Sequence, residues 1–126
     1  MEDNIYPIPK NINECFVLLD EIFNESQESK EDREWFINSS EDEAVGGFHN
    51  GIGMWIRKNW GFWSKDTELY SLLKTMGLWH ADDMCSIILT SYHRKINGKE
   101  LDLKGQIQYH INYWKDYEKM NGPVEK

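Results

Sequence analysis

The sequence predicts an all-α protein, a single compact domain of about five or six packed helices. Three observations predict it. Apolar residues recur at spacings of three and four over most of the chain, the period of a helix face. Asn, Ser and Asp head those stretches and Gly closes them, as caps and left-handed stops require. No clean period-two run exists beyond "SIILTSY", whose flanks suit a helix better. At 126 residues the chain fits one domain, 1–126, with an ordered core from about 8 to 120.

Behind Pro7 and Pro9, Asn11 or Asn13 caps a helix through "NINECFVLLDEIFNES". Its stripe is Ile12, Phe16, Leu19 and Phe23, widened by Leu18 and Ile22. A short charged helix in "ESKEDREWFINS" buries Trp35 and Phe36 and ends near Asn38. Ser40 then stands three residues before Glu43, a capping-box spacing that opens the next segment. There Phe48, Ile52, Trp55, Ile56, Trp60 and Trp63 share a face, but four glycines crowd between 46 and 53. Each Gly costs about 1 kcal/mol against Ala in a helix interior. A loop at Gly46-Gly47 followed by a helix from about Asn50 to Asn59 accommodates them. The alternative is that another backbone approaches too closely for a Cβ.

Gly61 is placed as the left-handed stop. "KDTELYSLLKTMG" turns Leu69, Leu72, Leu73 and Met76 inward and closes on Gly77. "HADDMCSIILTSYHRKING" sets Asp82 or Asp83 at its positive end and His93, Arg94 and Lys95 at its negative end. Met84, Ile88, Tyr92 and Ile96, broadened by Ile87 and Leu89, make this the expected central helix. A last helix, about Leu103 to Met120, buries Leu103, Ile107, Ile111 and Trp114. It carries Tyr109, Tyr113 and Tyr117 on an adjoining strip.

The net charge of -8 argues against nucleic acid and anionic membranes, which need clustered Lys and Arg, and suits a basic protein partner or plain solubility. No run approaches the ~18 apolar residues of a membrane span. The opening "MEDNIYPIPK" has no apolar leader core, so a cytoplasmic protein is expected. Cys15 and Cys85 sit in apolar stretches without a C-x-x-C partner and read as buried thiols.

Chemistry is sparsely signalled. The four histidines lack any H-x-x-x-H spacing, and no nucleophile motif, P-loop or dinucleotide fingerprint appears, so no metal and no cofactor are expected. Asp82 and Asp83 beside Cys85 disfavour a reactive thiolate. His80, Asp82 and Asp83 are the most ligand-like cluster, but helix capping explains the acids and packing beside Trp79 explains the histidine. Arg57, between Trp55 and Trp60, is expected to pair with an acid such as Asp82, Asp83 or Glu43 and tie two helices together.

"IPKNINECF", "GMWIRKNWGFW", "LWHADDMCSIILTSYHR" and the closing "QIQYHINYW" resemble a small uncharacterised bacterial domain family. Its motifs are G-x-G-M-W-I-R-x-N-W-G-x-W and H-x-x-D-M-S-x-I-I-L-x-S-Y-x-R, with Cys85 standing where the second has Ser. The resemblance runs from Ile8 to Trp114 and implies one intact domain, with no activity attached.

Two functions from different classes follow. The first is a non-catalytic acidic binding module, such as an immunity or antitoxin-type protein, that neutralises a basic partner through an acidic face with anchors such as Tyr109, Tyr113 and Tyr117. The second is a small enzyme or ligand binder whose pocket uses Arg57, His80, Asp83 and Arg94, framed by Trp55 and Trp60. Convergence of those polar residues in one cavity favours the second, and mutual pairing with burial favours the first.

Overall fold

The computed structural model describes residues 6–126, so part of the opening stretch read for a leader, residues 1–5, lies outside the described residues. Seven α-helices and no strands are found among them. They are α1 (Ile12–Ile22), α2 (Gln27–Asn38), α3 (Glu41–Phe48), α4 (Ile52–Asn59), α5 (Glu68–Thr75), α6 (Ala81–Ile96) and α7 (Leu103–Asn121). The expected centre holds: α6 contacts α1, α2, α3, α4 and α7.

The count exceeds the expected five or six because the Gly-rich segment forms two helices rather than a loop and one helix. Ser40 Oγ accepts from Glu43 N and donates to the Glu43 carboxylate. Three acids in the first turn, Glu41, Asp42 and Glu43, further stabilise the positive end. A helix so well started runs through Gly46 and Gly47. At Gly47 the close approach is to a side chain: a Cβ there would lie 2.4 Å from the Trp35 ring. The break falls instead at His49 to Gly51, and α4 starts at Ile52 with Gly51 as an N-cap that offers no side chain.

Other caps follow the sequence. Asn11 accepts from Glu14 N at the head of α1, and Gly61 (φ 81°) and Gly77 (φ 111°) take left-handed backbone after α4 and α5. At α6 the expectation needs correction. His80, not an aspartate, is the N-cap, with Nδ1 accepting from Asp82 N at 3.1 Å.

The core is aromatic at its middle. Phe36 lies 4.6 Å from Phe48, Phe23 5.6 Å from Phe48, and Tyr92 6.1 Å from Phe23, joining α1, α2, α3 and α6. Phe23, Phe36 and Tyr92 are buried and each contributes about 1.5–3 kcal/mol, while Phe48 is partly buried. Trp55 and Trp60 are buried as expected and pack edge to face at 6.0 Å. Trp35 and Trp63 are not: they remain 47% and 51% exposed. Trp63 loses the shared face because α4 ends and the chain turns at Gly61, which brings Phe62 inward instead.

The last helix departs most from expectation. None of its residues is fully buried; Leu103 and Ile107 are partly buried against the core, and Ile111 and Trp114 are half-buried.

Candidate functional site

Arg57 is set on the inner face of α4 and is only 3% exposed. Its Nη1 lies 3.2 Å from His49 Nδ1 and its guanidinium 5.6 Å from the centre of the Trp63 ring. Of the three acids expected, Asp82 is the partner, at 3.6 Å from Nε. That is an ionic contact too long for a hydrogen bond, so Nε is buried with no hydrogen-bond partner. Glycine at 53 makes the packing possible: a Cβ there would sit 3.3 Å from both Arg57 Nη1 and Cys85 Sγ and 2.9 Å from the Phe48 carbonyl oxygen. Burial pushes the Cys85 thiol up to about 11, against the pull of the neighbouring guanidinium. The tie between α4 and α6 is therefore cationic, tight and chemically quiet.

A second cluster forms where the head of α6 meets α7. Asp83 receives Trp114 Nε1–H on one oxygen at 2.8 Å and pairs with His110 Nδ1 on the other at 3.1 Å. Burial raises the Asp83 carboxyl, but the hydrogen bonds from His110 and Trp114 and the nearby charges of His110 and His80 outweigh it, leaving the group below the ordinary range. The His80 ring stacks on Trp114 with centroids 5.5 Å apart, and Trp79 lies 4.7 Å from Trp114. Asp83, His110, Trp114 and Trp79 border a small cavity of about 110 Å³.

Arg94, near the other end of α6, forks onto Glu41 with Nε and Nη2 at 2.7 and 3.2 Å and donates Nη1–H to the Leu101 carbonyl at 2.7 Å. Hydrogen bonding to Arg94 holds the Glu41 carboxyl below its ordinary value, against burial. Beside this pair a groove of about 390 Å³ runs between α3, α6 and α7, bordered by Glu41, Asp42, Asp102 and Tyr109.

The residues singled out by sequence are thus not gathered in one cavity, though His80 and Asp83 meet at Trp114. Arg57 pairs with Asp82, Asp83 with His110 and Trp114, and Arg94 with Glu41, while His80 caps α6. Trp55 and Trp60 pack into the core rather than frame a cavity containing those four. Tyr109, Tyr113 and Tyr117 do project from α7, 67%, 52% and 40% exposed. Tyr109 borders the groove with Glu41, Asp42 and Asp102, while α7 itself carries Lys104, Lys115 and Lys119 against Asp116 and Glu118. Half of the acid is concentrated in one stretch of the chain. Between residues 14 and 43 stand eleven acidic and two basic residues, all on α1, α2, the head of α3 and the short links between them. No group of three or more His, Cys, Asp or Glu suited to a metal ion occurs among the described residues, and no helix there is long and apolar enough to cross a membrane.

The family described as Domain of unknown function (DUF6794) matches residues 8–96. The chain belongs to that family. The match takes in α1 to α6 and includes Arg57, His80, Asp83 and Arg94; α7, with His110, Trp114 and the three tyrosines, follows it. No curated protein and no solved structure matches the chain.

Sequence reading missed Glu41 as the Arg94 partner, His110 as the Asp83 partner and His49 beside Arg57. None had a local signal. Glu41 lies 53 residues from Arg94, and only the packing of α3 and α7 on α6 reveals the pairs.

Proposed function

We propose that this protein is a non-catalytic acidic binding module that neutralises a basic protein partner, in the manner of a bacterial immunity or antitoxin protein working in the cytoplasm. The observation that carries this reading is the segregation of charge. Residues 14–43 hold a net -9, more than the whole chain's -8, so the remainder is slightly basic. Charge concentrated on those helices steers a basic protein toward them and accelerates encounter. The same stretch offers an apolar anchor, Trp35 on α2 at 47% exposure, of the kind that hold partners once docked. Asp42 and Glu41 extend the acidic surface into the groove beside Tyr109. The motifs shared with the resembled family fall mainly on core and helix-tying residues and support the domain rather than the partner site.

A small-molecule pocket has less support. Arg57, His80, Asp83 and Arg94 spend their hydrogen bonds and charge on separate partners within the chain.

The test is co-expression with the product of the neighbouring gene, followed by calorimetric titration at several salt concentrations. Binding is expected to weaken steeply with salt. The combined reversals Glu28→Lys, Glu31→Lys and Glu34→Lys are expected to slow association tenfold or more, on the order of what steering contributes. Failure of any basic protein of the native host to bind, or binding indifferent to salt and to these reversals, ends the reading.

A further inference from the structure

We infer that α7 is a detachable strap laid over the polar face of α6, latched by Asp83, and that it opens locally while the rest of the fold stays closed. The inference does not depend on what the acidic surface binds.

Three observations converge on it. First, the buried hydrophobic core lies wholly between Ile12 and Tyr92, and the nineteen residues of α7 add no fully buried side chain to it. The apolar contact of α7 is confined to partly buried residues such as Leu103, Ile107 and Ile111. Lifting α7 therefore leaves the core's own contacts in place, which is the condition for opening below the global unfolding free energy.

Second, the seam holds polar contacts beside these apolar ones. Gln106 Nε2 donates to Ser91 Oγ at 3.0 Å, and Asp83 holds Trp114 and His110. These groups return to water when the seam parts, so most of their hydrogen-bond energy is recovered. Third, a cavity of about 110 Å³ lies beside the contacts of Ile111 with Gly77 and of Trp114 with Trp79, so the packing of α7 on the turn before α6 is incomplete.

Asp83 is the latch because both its oxygens are engaged by α7, whereas Gln106 and Ser91 form a neutral contact. Hydrogen bonds to an ionised acceptor are the stronger kind. The charged and titratable groups around it are His80 and Asp82 on its own helix head, His110, Lys115 and Glu118 on α7, and Lys126 in the tail. The residues of the α5–α6 turn that line the cavity, Gly77, Leu78 and Trp79, carry no charge. Its depressed titration agrees with the geometry: the ionised form is the one that docks α7.

The test is amide hydrogen exchange on the full chain, resolved by peptide and corrected for intrinsic rates. In the wild type, α7 is expected to open at least about a hundredfold more often than the middle of α6. Asp83→Asn is expected to accelerate exchange in α7 by about tenfold or more and to leave α1 and the middle of α6 unchanged. Trp114→Phe keeps a ring, removes one donor and is expected to act in the same direction by a smaller factor. Protection of α7 equal to that of α6 overturns the inference. So does equal acceleration of every helix by either variant, or no response of α7 to both. If Asp83→Asn fails to fold, Asp83 serves the whole fold, and the inference is likewise lost.

Discussion

Arg57 shows what burial does to a single charge. Its guanidinium has given up water for one ionic contact at 3.6 Å, one nitrogen of His49 and the face of Trp63, and its Nε has no hydrogen bond. Charges in that state are costly to desolvate and are often matched by an apolar residue of similar volume. Arg57→Met is therefore expected to change stability by less than about 1 kcal/mol in either direction, whereas Asp82→Asn, which leaves the cation without its acid, is expected to cost about 1–2 kcal/mol, the larger figures for buried pairs being reduced because Asp82 is half exposed. Urea denaturation of the two variants decides it; a larger loss for Arg57→Met reverses the reasoning. Cysteine gives a second residue-scale expectation. Both thiols are buried, burial raises both above their ordinary value, and Cys85 is pushed up to about 11. Neither is expected to react with a disulfide reagent within minutes at pH 8 in the native protein, while both react at once in denaturant. Rapid native labelling of Cys85 contradicts the burial account.

At the scale of elements, the junction of α3 and α4 turns on close approach. Gly53 lies inside α4, where Ala has the better helix propensity by about 1 kcal/mol. Packing opposes that gain, because the added methyl meets the Phe48 carbonyl at 2.9 Å, and backbone yields less readily than a side chain. Gly53→Ala is expected to destabilise by about 1–3 kcal/mol net, read from the urea midpoint; a more stable variant shows that α4 can shift to admit it. The same segment marks the limit of sequence reading. The helix stripes of α1 and α6 were legible because each has a continuous apolar period and a terminal signal. The placement of the break between α3 and α4 was not, since Gly46 and Gly47 look like a loop until Trp35 is seen lying over Gly47. Trp63 failed for a related reason: periodicity was extended across a helix end.

Across the whole molecule, two depressed carboxylates make stability depend on pH. Glu41, held down by Arg94 against burial, ties α3 to α6, and Asp83, held down by His110 and Trp114 against burial, ties α6 to α7. A carboxyl whose folded value lies below its unfolded value of about 4 stabilises the fold above that pH and stops doing so as pH falls through the folded value. Acid sensitivity below about pH 5 is expected, and Glu41→Gln with Asp83→Asn is expected to flatten the curve by about 1 kcal/mol per site, since both pairs are partly screened by solvent. Urea midpoints across the pH range test this; a double variant with the parent's slope removes these two groups as the cause.

The helical class, most of the helix stripes and caps, the buried thiols and the excess of acid were determined by the sequence alone, because period, capping and composition act over a few residues. Which acid meets Arg57, that Arg94 grips Glu41, that Asp83 is claimed by α7 and that Tyr109 borders a groove with Glu41 and Asp42 were decided only by tertiary structure. Those outcomes depend on how separate helices lie against α6, and no stretch of chain short enough to be read by eye contains both partners.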